Sequence, residues 1–350
     1  MMPESDLPPR MCAVVTGASG FIGRHLVRAL LAAGAEVRVL RRPQSIARID
    51  GAAMSDVRAW QVDLADARAV SESAIWTGAT HVFHLAGLTR AARASEFIHA
   101  NVTPTANIAA ALAARAHPPR MLLVSSQAAA GPTPRGVVAR TDEMVAAPIE
   151  AYGRSKLAGE EAAWAWRSVV PLTVLRPSAV YGEGDRDFLA AFAQVQRSTA
   201  WFATAPEQPL SIIYVGDLVE CLLQVAVHPD TRSQRWLVAH EVAATWRALY
   251  REMADLSGTA PRFRAVPRTI LRVGAAIGDT VGTVSGRTPL LSSQKLALAE
   301  ATSWLCTSDA LTRATGWTAR TPLVIGLRRT LAWYVAEGWL RAPSYTSHSR

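Results

Sequence analysis

Twelve residues near the start of the chain, Cys12-Ala13-Val14-Val15-Thr16-Gly17-Ala18-Ser19-Gly20-Phe21-Ile22-Gly23, constrain its fold more than any other stretch. A short apolar run ends in a turn with a glycine at every third position. Behind it, Ile22, Leu26, Ala29, Leu30 and Ala33 recur at helical spacing. Strand, glycine turn, helix is the order a dinucleotide site needs. Gly17 permits the tight turn, Gly20 lets the backbone approach a pyrophosphate, and Gly23 lets the helix pack close to the sheet. The N–H groups of the helix's first turn then face the anion. Similar turns also join ordinary strands to helices, so the reading depends on the rest of the chain.

Strands and helices alternate beyond the turn. Apolar strand-like runs at 12–16, 35–40, 57–62, 81–85, 121–124 and 172–175 are separated by helical stretches at 21–33, 67–73, 96–115 and 152–167. That pattern predicts an α/β fold, a doubly wound parallel sheet of the Rossmann type, over residues 11–180. After residue 180 the chain changes character. Helical stretches at 187–197, 217–227, 244–257, 290–301 and 323–337 are joined by short strands at 212–215 and 236–238. Residues 181–340 therefore read as a smaller, mostly helical C-terminal substrate lobe that returns a strand or helix to the first domain. Residues 1–10 read as a flexible lead-in and 341–350 as a tail. Arg176-Pro177-Ser178-Ala179-Val180-Tyr181-Gly182 reads as an irregular turn leaving the sixth strand.

Composition narrows the function classes. Half of the 350 residues are hydrophobic, yet no run of about twenty uncharged apolar residues is present. The first ten residues lack the apolar stretch of a signal peptide. Cys12, Cys221 and Cys306 are too few and too separated for a disulfide framework or a metal knuckle, so buried thiols in a reducing cytoplasm are expected, with no metal. The formal charge of +9 comes from arginines spread along the chain, with no basic run of five or more, so a solvated surface is expected and nucleic acid is not. The stretch 266–284 is moderately apolar, with Arg268 and Arg272 at helical spacing. Contact with a membrane surface is the lesser reading there, weakened by Gly274, Gly278, Asp279 and Gly282.

The chain holds only two lysines, Lys156 and Lys295, and the first lies four residues after Tyr152. On a helix the two share a face. A phenol with an ordinary pKa near 10 is a poor proton donor or acceptor near neutrality; an ammonium beside it stabilises the phenolate and lowers that value. The same lysine can hold ribose hydroxyls. Ser126 closes a parallel strand, where ligands of such sheets bind. Arg41 and Arg42 come directly after the second strand, where an NAD-preferring fold keeps an acid for the ribose 2′-hydroxyl; two guanidiniums suit a 2′-phosphate instead. Asp63 either accepts from the adenine amine or caps the helix at 67–73. His81 and His84 read as packed strand residues.

With these motifs in hand, the chain resembles an extended short-chain dehydrogenase/reductase of the NAD-dependent epimerase/dehydratase type. The resemblance covers roughly residues 11–340. Thr16 to Gly23, Asp63-Leu64, His84-Leu85-Ala86-Gly87, Asn101, Ser125-Ser126, Tyr152-Gly153-Arg154-Ser155-Lys156 and Arg176 to Gly182 carry it. It implies Tyr152 as the catalytic acid/base, Lys156 as its tuner and ribose anchor, Ser126 as the hydroxyl that orients substrate, and Asn101 as support for a proton relay. It implies a cofactor site built from Gly17, Ser19, Gly20, Phe21, Ile22, Gly23, Arg41, Arg42, Asp63, Leu64, Leu85, Ala86, Gly87 and Ser125, with Pro177, Ala179 and Val180 beside the nicotinamide. NADP(H) is expected over NAD(H). Family members often pair as homodimers through two helices per subunit, here those near 96–115 and 152–167.

Departures from the family pattern narrow the substrate. Gln127 and Ala128 stand where sugar-nucleotide 4,6-dehydratases keep an acidic pair. Leu210, in Pro209-Leu210-Ser211-Ile212-Ile213-Tyr214-Val215-Gly216-Asp217, stands about where epimerases keep an arginine for the diphosphate, although Arg186 or Arg262 offers a substitute. The lobe is rich in apolar and aromatic residues: Trp201, Phe202, Leu210, Trp236, Phe263, Ile270 and Leu271. The expectation is an oxidoreductase that interconverts a ketone and a secondary alcohol on an apolar small molecule, as in the branch resembling dihydroflavonol reductases and 3β-hydroxysteroid dehydrogenases. The alternatives are a nucleotide-sugar epimerase with tightly bound NAD, and a non-catalytic cofactor-sensing protein.

Overall fold

A computed structural model describes residues 11–41, 57–285 and 291–343. The lead-in at 1–10, Arg42 and most of the tail lie outside the described residues. Seven strands form one parallel sheet. The first six are β1 (Cys12–Thr16), β2 (Glu36–Arg41), β3 (Arg58–Gln61), β4 (His81–His84), β5 (Arg120–Val124) and β6 (Leu172–Pro177). The strand Gln234–Val238 adds beside β6, giving the order 234–238, β6, β5, β4, β1, β2, β3. Every residue of β1, β5 and β6 is buried, as expected of strands covered by helices on both faces.

Chain direction across the sheet reverses between β1 and β4. From β1 the chain steps outward to β2 and β3, then crosses back to β4, β5 and β6. Ligands of such sheets bind at that switch point, beyond the strands' carboxyl ends. Helix α1 (Phe21–Ala32) starts there. It buries Gly23, Leu26, Val27 and Leu30 and ends where Gly34 takes a φ of +78°, with Ala35 N–H donating to Leu30 O at 3.0 Å. One apolar cluster joins α1, β1, β2 and the helix Val215–Val227 on one face of the sheet; another joins β4, β5 and the helix Thr103–Ala113 on the other.

The second half differs in detail from the expectation. Residues 176–182 are not an irregular turn: β6 extends through Pro177, and Ala179–Tyr181 forms a short strand parallel to Ile212–Tyr214. Two further strands, Thr199–Phe202 and Arg262–Ala265, pair in parallel, and the helix Arg268–Ser285 comes after the second. Phe188, Phe192, Phe202, Leu249, Leu327 and Tyr334 belong to the apolar core of this half. Asp217 ties the helix Val215–Val227 to the C-terminal segment, accepting from Thr321 N–H at 3.0 Å and its hydroxyl at 2.8 Å.

Candidate active site

The glycine turn is packed against the sheet's switch point. Gly17 sits at φ +71°, and a Cβ there would lie 2.8 Å from the backbone of Leu85 and Ala86. Gly20 N–H donates to Gly17 O at 2.9 Å. A Cβ on Gly23 would lie 2.1 Å from Gly17 O, so only glycine lets α1 come this close. Ser19 and Gly20 are exposed at the mouth of the turn, whereas Phe21 and Ile22 pack toward the core of the second half. Arg41 closes β2, and its Nε is buried without a hydrogen-bond partner among the described residues, a donor left for a ligand oxygen. The bare backbone of the turn and this donor fit a dinucleotide.

Asp63 and Ser125 make bonds of their own within the chain. Asp63 does not cap the helix Ala67–Glu72. Its carboxylate accepts from Ala65 N–H at 3.0 Å, and Asp66 is the cap, accepting from Arg68 and Ala69 N–H at 2.9 and 3.0 Å. Ser125 is buried, and its hydroxyl donates to Glu160 rather than into the cleft. Leu64 is buried, its carbonyl accepting from Asn107 at 2.9 Å.

Asn101 lies in a π-helical turn, Ile98–Val102, inserted between two α-helical segments. Its side chain clamps one backbone unit: Oδ1 accepts from Leu88 N–H at 2.7 Å, and Nδ2 donates to Leu88 O at 3.0 Å and to Ser155 Oγ at 2.8 Å. Gly87 is required beside it, because a Cβ there would lie 2.7 Å from Asn101 Oδ1 and 3.9 Å from Lys156 Nζ. Asn101 thus fastens the loop after β4 to the helix Ala151–Trp164.

That helix carries Tyr152, Lys156 and Glu160 one turn apart. Glu150 caps it, accepting from Tyr152 and Gly153 N–H, each at 2.5 Å. Burial pushes the Tyr152 phenol up to about 12; an interaction with Ser126 pulls it down and the Glu150 carboxylate raises it further. Burial also brings the Lys156 ammonium down to about 8, against the Glu160 carboxylate that raises it. Lys156 Nζ donates to Val124 O at 2.8 Å. The lowering of the phenol expected from Lys156 is not expressed in this geometry: desolvation is the larger effect, and the ammonium is turned to the end of β5. Ser126 Oγ accepts from Ala128 N–H at 3.1 Å, which fixes its hydroxyl at the strand's carboxyl end.

Glu160 escaped the sequence reading. It is fully buried, receives the Ser125 hydroxyl, and accepts from Arg176 Nη2 at 2.6 Å and Nε at 3.0 Å. The available signal was its position, four residues after Lys156 on the same face.

Ser126, Tyr152, Pro177, Ala179 and Val180 border one cavity of about 720 Å³. Its other walls include Phe97, Phe188, Leu210, Trp246, Leu296 and Trp304. Of the lobe residues singled out in the sequence, only Leu210 lines it. Phe202 and Phe263 pack within the second half, Trp236 is buried on the strand Gln234–Val238 of the main sheet, Leu271 is buried, and Trp201 and Ile270 face solvent. Arg186 stacks over the Trp339 ring at 5.4 Å and Arg262 is exposed, so neither lines the cavity. Arg90 does, in an ion pair with Asp187.

Known proteins resemble this chain in sequence and in fold. The family model described as "NAD dependent epimerase/dehydratase family" matches residues 13–239. A ceramide reductase from Caulobacter vibrioides is 30% identical over 334 residues, covering 95% of this chain and 96% of that protein. Sterol demethylase protein B from Methylococcus capsulatus is 30% identical over 279 residues, covering 77% of this chain and 81% of its own length. The solved structure of RMD from Pseudomonas aeruginosa complexed with NADPH superposes with a TM-score of 0.72 at 21% identity, over 93% of this chain and 99% of that one, and so shares the fold. The glycine turn, the parallel sheet and these matches together place the chain in the NAD-dependent epimerase/dehydratase family, as an NAD(P)-dependent oxidoreductase of the extended short-chain dehydrogenase/reductase type.

Proposed function

We propose that the protein uses NADP(H) to interconvert a ketone and a secondary alcohol on an apolar, lipid-like small molecule. The observation that carries this reading is the cavity of about 720 Å³ beside Tyr152 and Ser126, whose walls include Phe97, Phe188, Leu210, Trp246, Leu296, Leu298 and Trp304. A nucleotide-sugar diphosphate needs cations in such a cleft. Leu210 faces the cavity instead, and the one arginine among its described lining residues, Arg90, is already paired with Asp187. Lys295 also borders it, and burial, with the Arg90 guanidinium nearby, lowers the pKa of that ammonium. The names of the two relatives, a ceramide reductase and a sterol demethylase protein, point to substrates of the same apolar kind.

When bound, the nicotinamide supplies or accepts the hydride at the carbinol carbon. The chain's residues handle the rest. Ser126 donates to the substrate oxygen. Tyr152 gives that oxygen its phenolic proton in reduction and takes it back in oxidation. Lys156 holds the ribose and, once its ammonium faces the phenol, stabilises the phenolate left behind. Asn101 keeps the loop Leu85–Leu88 in register with the catalytic helix, and its backbone carbonyl supports the relay. Pro177 to Val180 close the nicotinamide side of the cavity. Arg41, with Arg42 beyond it in sequence, takes the 2′-phosphate.

Titration of wild type and Tyr152→Phe with NADPH and NADH, alongside turnover of a bulky apolar ketone, tests the reading. Tyr152→Phe loses at least about a hundredfold in kcat while its NADPH affinity stays within about twofold, because a positioned acid/base contributes that order of rate. Retained turnover, or equal affinity for NADPH and NADH, overturns it.

A further inference from the structure

We propose that the outer face of the helix Arg268–Ser285 docks on an anionic lipid surface, from which an apolar substrate enters the cavity; the entry step rests on the reading above, the docking does not. Ile270, Val273, Ile277 and Val281 are 60%, 62%, 59% and 54% exposed. Their spacing of three, four and four places them on one stripe of the helix. Leu271 and Ala275, on the other side, are buried. The helix is therefore apolar on two faces, one of which meets solvent.

Two of the residues that weigh against membrane contact in the sequence, Gly274 and Asp279, face neighbouring parts of the chain. A Cβ on Gly274 would lie 3.0 Å from Leu291 Cδ2, so the missing side chain is what lets residue 291 come close. The Asp279 carboxylate accepts from Ser293 N–H at 3.2 Å. Both serve the contact with the helix Ser293–Glu300 and leave the outer stripe uninterrupted by charge. That contact also links the stripe to the active site, because Leu291, Lys295, Leu296 and Leu298 line the cavity.

Charge selects the occupant. Residues 257–278 contain four arginines and no acidic residue. Arg272 is paired with Glu300 at 3.0 Å, whereas Arg262, Arg264 and Arg268 stand exposed where the strand Arg262–Ala265 leads into the helix. Trp201, 47% exposed, sits in register with Arg264 on the neighbouring strand. Exposed arginines and a tryptophan on the strand pair and turn that lead into the apolar helix suit the headgroup boundary, with each cation favouring anionic lipid. A second copy of the chain would bring the same cations face to face. No helix among the described residues is long and apolar enough to cross a membrane, so the contact is with the surface.

Cosedimentation with vesicles of phosphatidylcholine, with and without phosphatidylglycerol, tests the proposal on full-length protein without substrate. Wild type pellets with the anionic vesicles. The triple variants Ile270→Ser/Val273→Ser/Ile277→Ser and Arg262→Ala/Arg264→Ala/Arg268→Ala each lose about tenfold in binding, since apolar burial and anionic attraction both contribute. Unchanged NADPH affinity in the same preparations shows that they are folded. Tyr152→Phe pellets like wild type, so failure of the catalytic reading leaves this result untouched. Wild type remaining in the supernatant, variants that bind equally well, or a wild-type dimer in sedimentation equilibrium that the serine variant dissociates would each refute the proposal.

Discussion

A single residue, His84, sets the direction of one hydrogen-bond chain. The Thr105 hydroxyl donates to Asn101 O and so can only accept from His84 Nε2, which leaves Nδ1 to accept from the Thr16 hydroxyl at 2.6 Å, while Thr16 Oγ1 accepts from Ala86 N–H at 3.1 Å. Nε2 then carries the proton and donates to Thr105 Oγ1 at 2.9 Å, whose hydroxyl donates to Asn101 O at 2.7 Å. A neutral imidazole thus ties the loop after β4 to the carbonyl of Asn101. Burial, with Lys156 adding repulsion, lowers the His84 pKa to about 3 from 6.5. This stability is complete above pH 6.5 and is lost as the pH falls toward the folded-state value, because the unfolded chain takes up the proton first. His84→Leu leaves two buried hydroxyls short of a partner, so it costs about 2 kcal/mol at neutral pH. It also weakens NAD(P)H binding through the loosened loop. The melting-temperature difference between variant and wild type, measured from pH 8 to 4, shrinks with acid; a difference constant across that range shows that His84 is not held neutral.

At the scale of elements, what could be read in advance was what one helix or one turn decides by itself. The glycines at 17, 20 and 23 and the four-residue step from Tyr152 to Lys156 are local geometry, fixed by the turn and by the helical period. The partners of Glu160 are not local. Ser125 and Arg176 lie 35 and 16 residues away, just after β5 and on its neighbour β6, and meet only when the sheet forms. The same holds for the strand Ala179–Tyr181, which exists because Ile212–Tyr214 lies beside it. It holds too for the cavity wall contributed by Leu296 and Trp304. Asp63 and Asp66 show the local limit: both precede the same helix, and only the turn geometry chose the cap. The helix Ala151–Trp164 makes the tertiary part testable. Glu160→Gln leaves the buried Arg176 guanidinium without its counter-charge, at about 3 kcal/mol. It also removes the carboxylate that raises the Lys156 pKa, so the ammonium is lost at lower pH. The alkaline limb of the kcat profile moves to lower pH in this variant. A limb that stays in place would mean that Glu160 only braces the fold.

The molecule as a whole is closed by crossings between its two halves rather than by a linker. Gln234–Val238 joins the sheet of the first half, and the loop after Ser126 runs back along residues 303–307. Thr133 N–H donates to Ser303 O at 3.0 Å, Arg140 N–H to Leu305 O at 2.9 Å, and Thr307 N–H to Arg140 O at 3.1 Å. Asp142 joins that loop to the returning strand. Oδ1 accepts from Leu237 N–H at 2.5 Å, while Oδ2 is buried with no hydrogen-bond partner among the described residues. Burial, offset in part by that N–H and by Arg176, pushes the carboxyl up to about 7 from 3.8. The closure is therefore strongest with Asp142 protonated. Its contribution is complete below about pH 4 and is lost as the pH rises through 7, opposite in sign to that of His84. Asn keeps an oxygen for Leu237 N–H and never ionises. Asp142→Asn thus melts several degrees above wild type at pH 8, since about 1 kcal/mol moves a domain of this size by a few degrees. The gap narrows progressively as the pH is lowered to 4. A variant no more stable than wild type at pH 8 would mean that the carboxylate is solvated there, and that the halves are held by the backbone crossings alone.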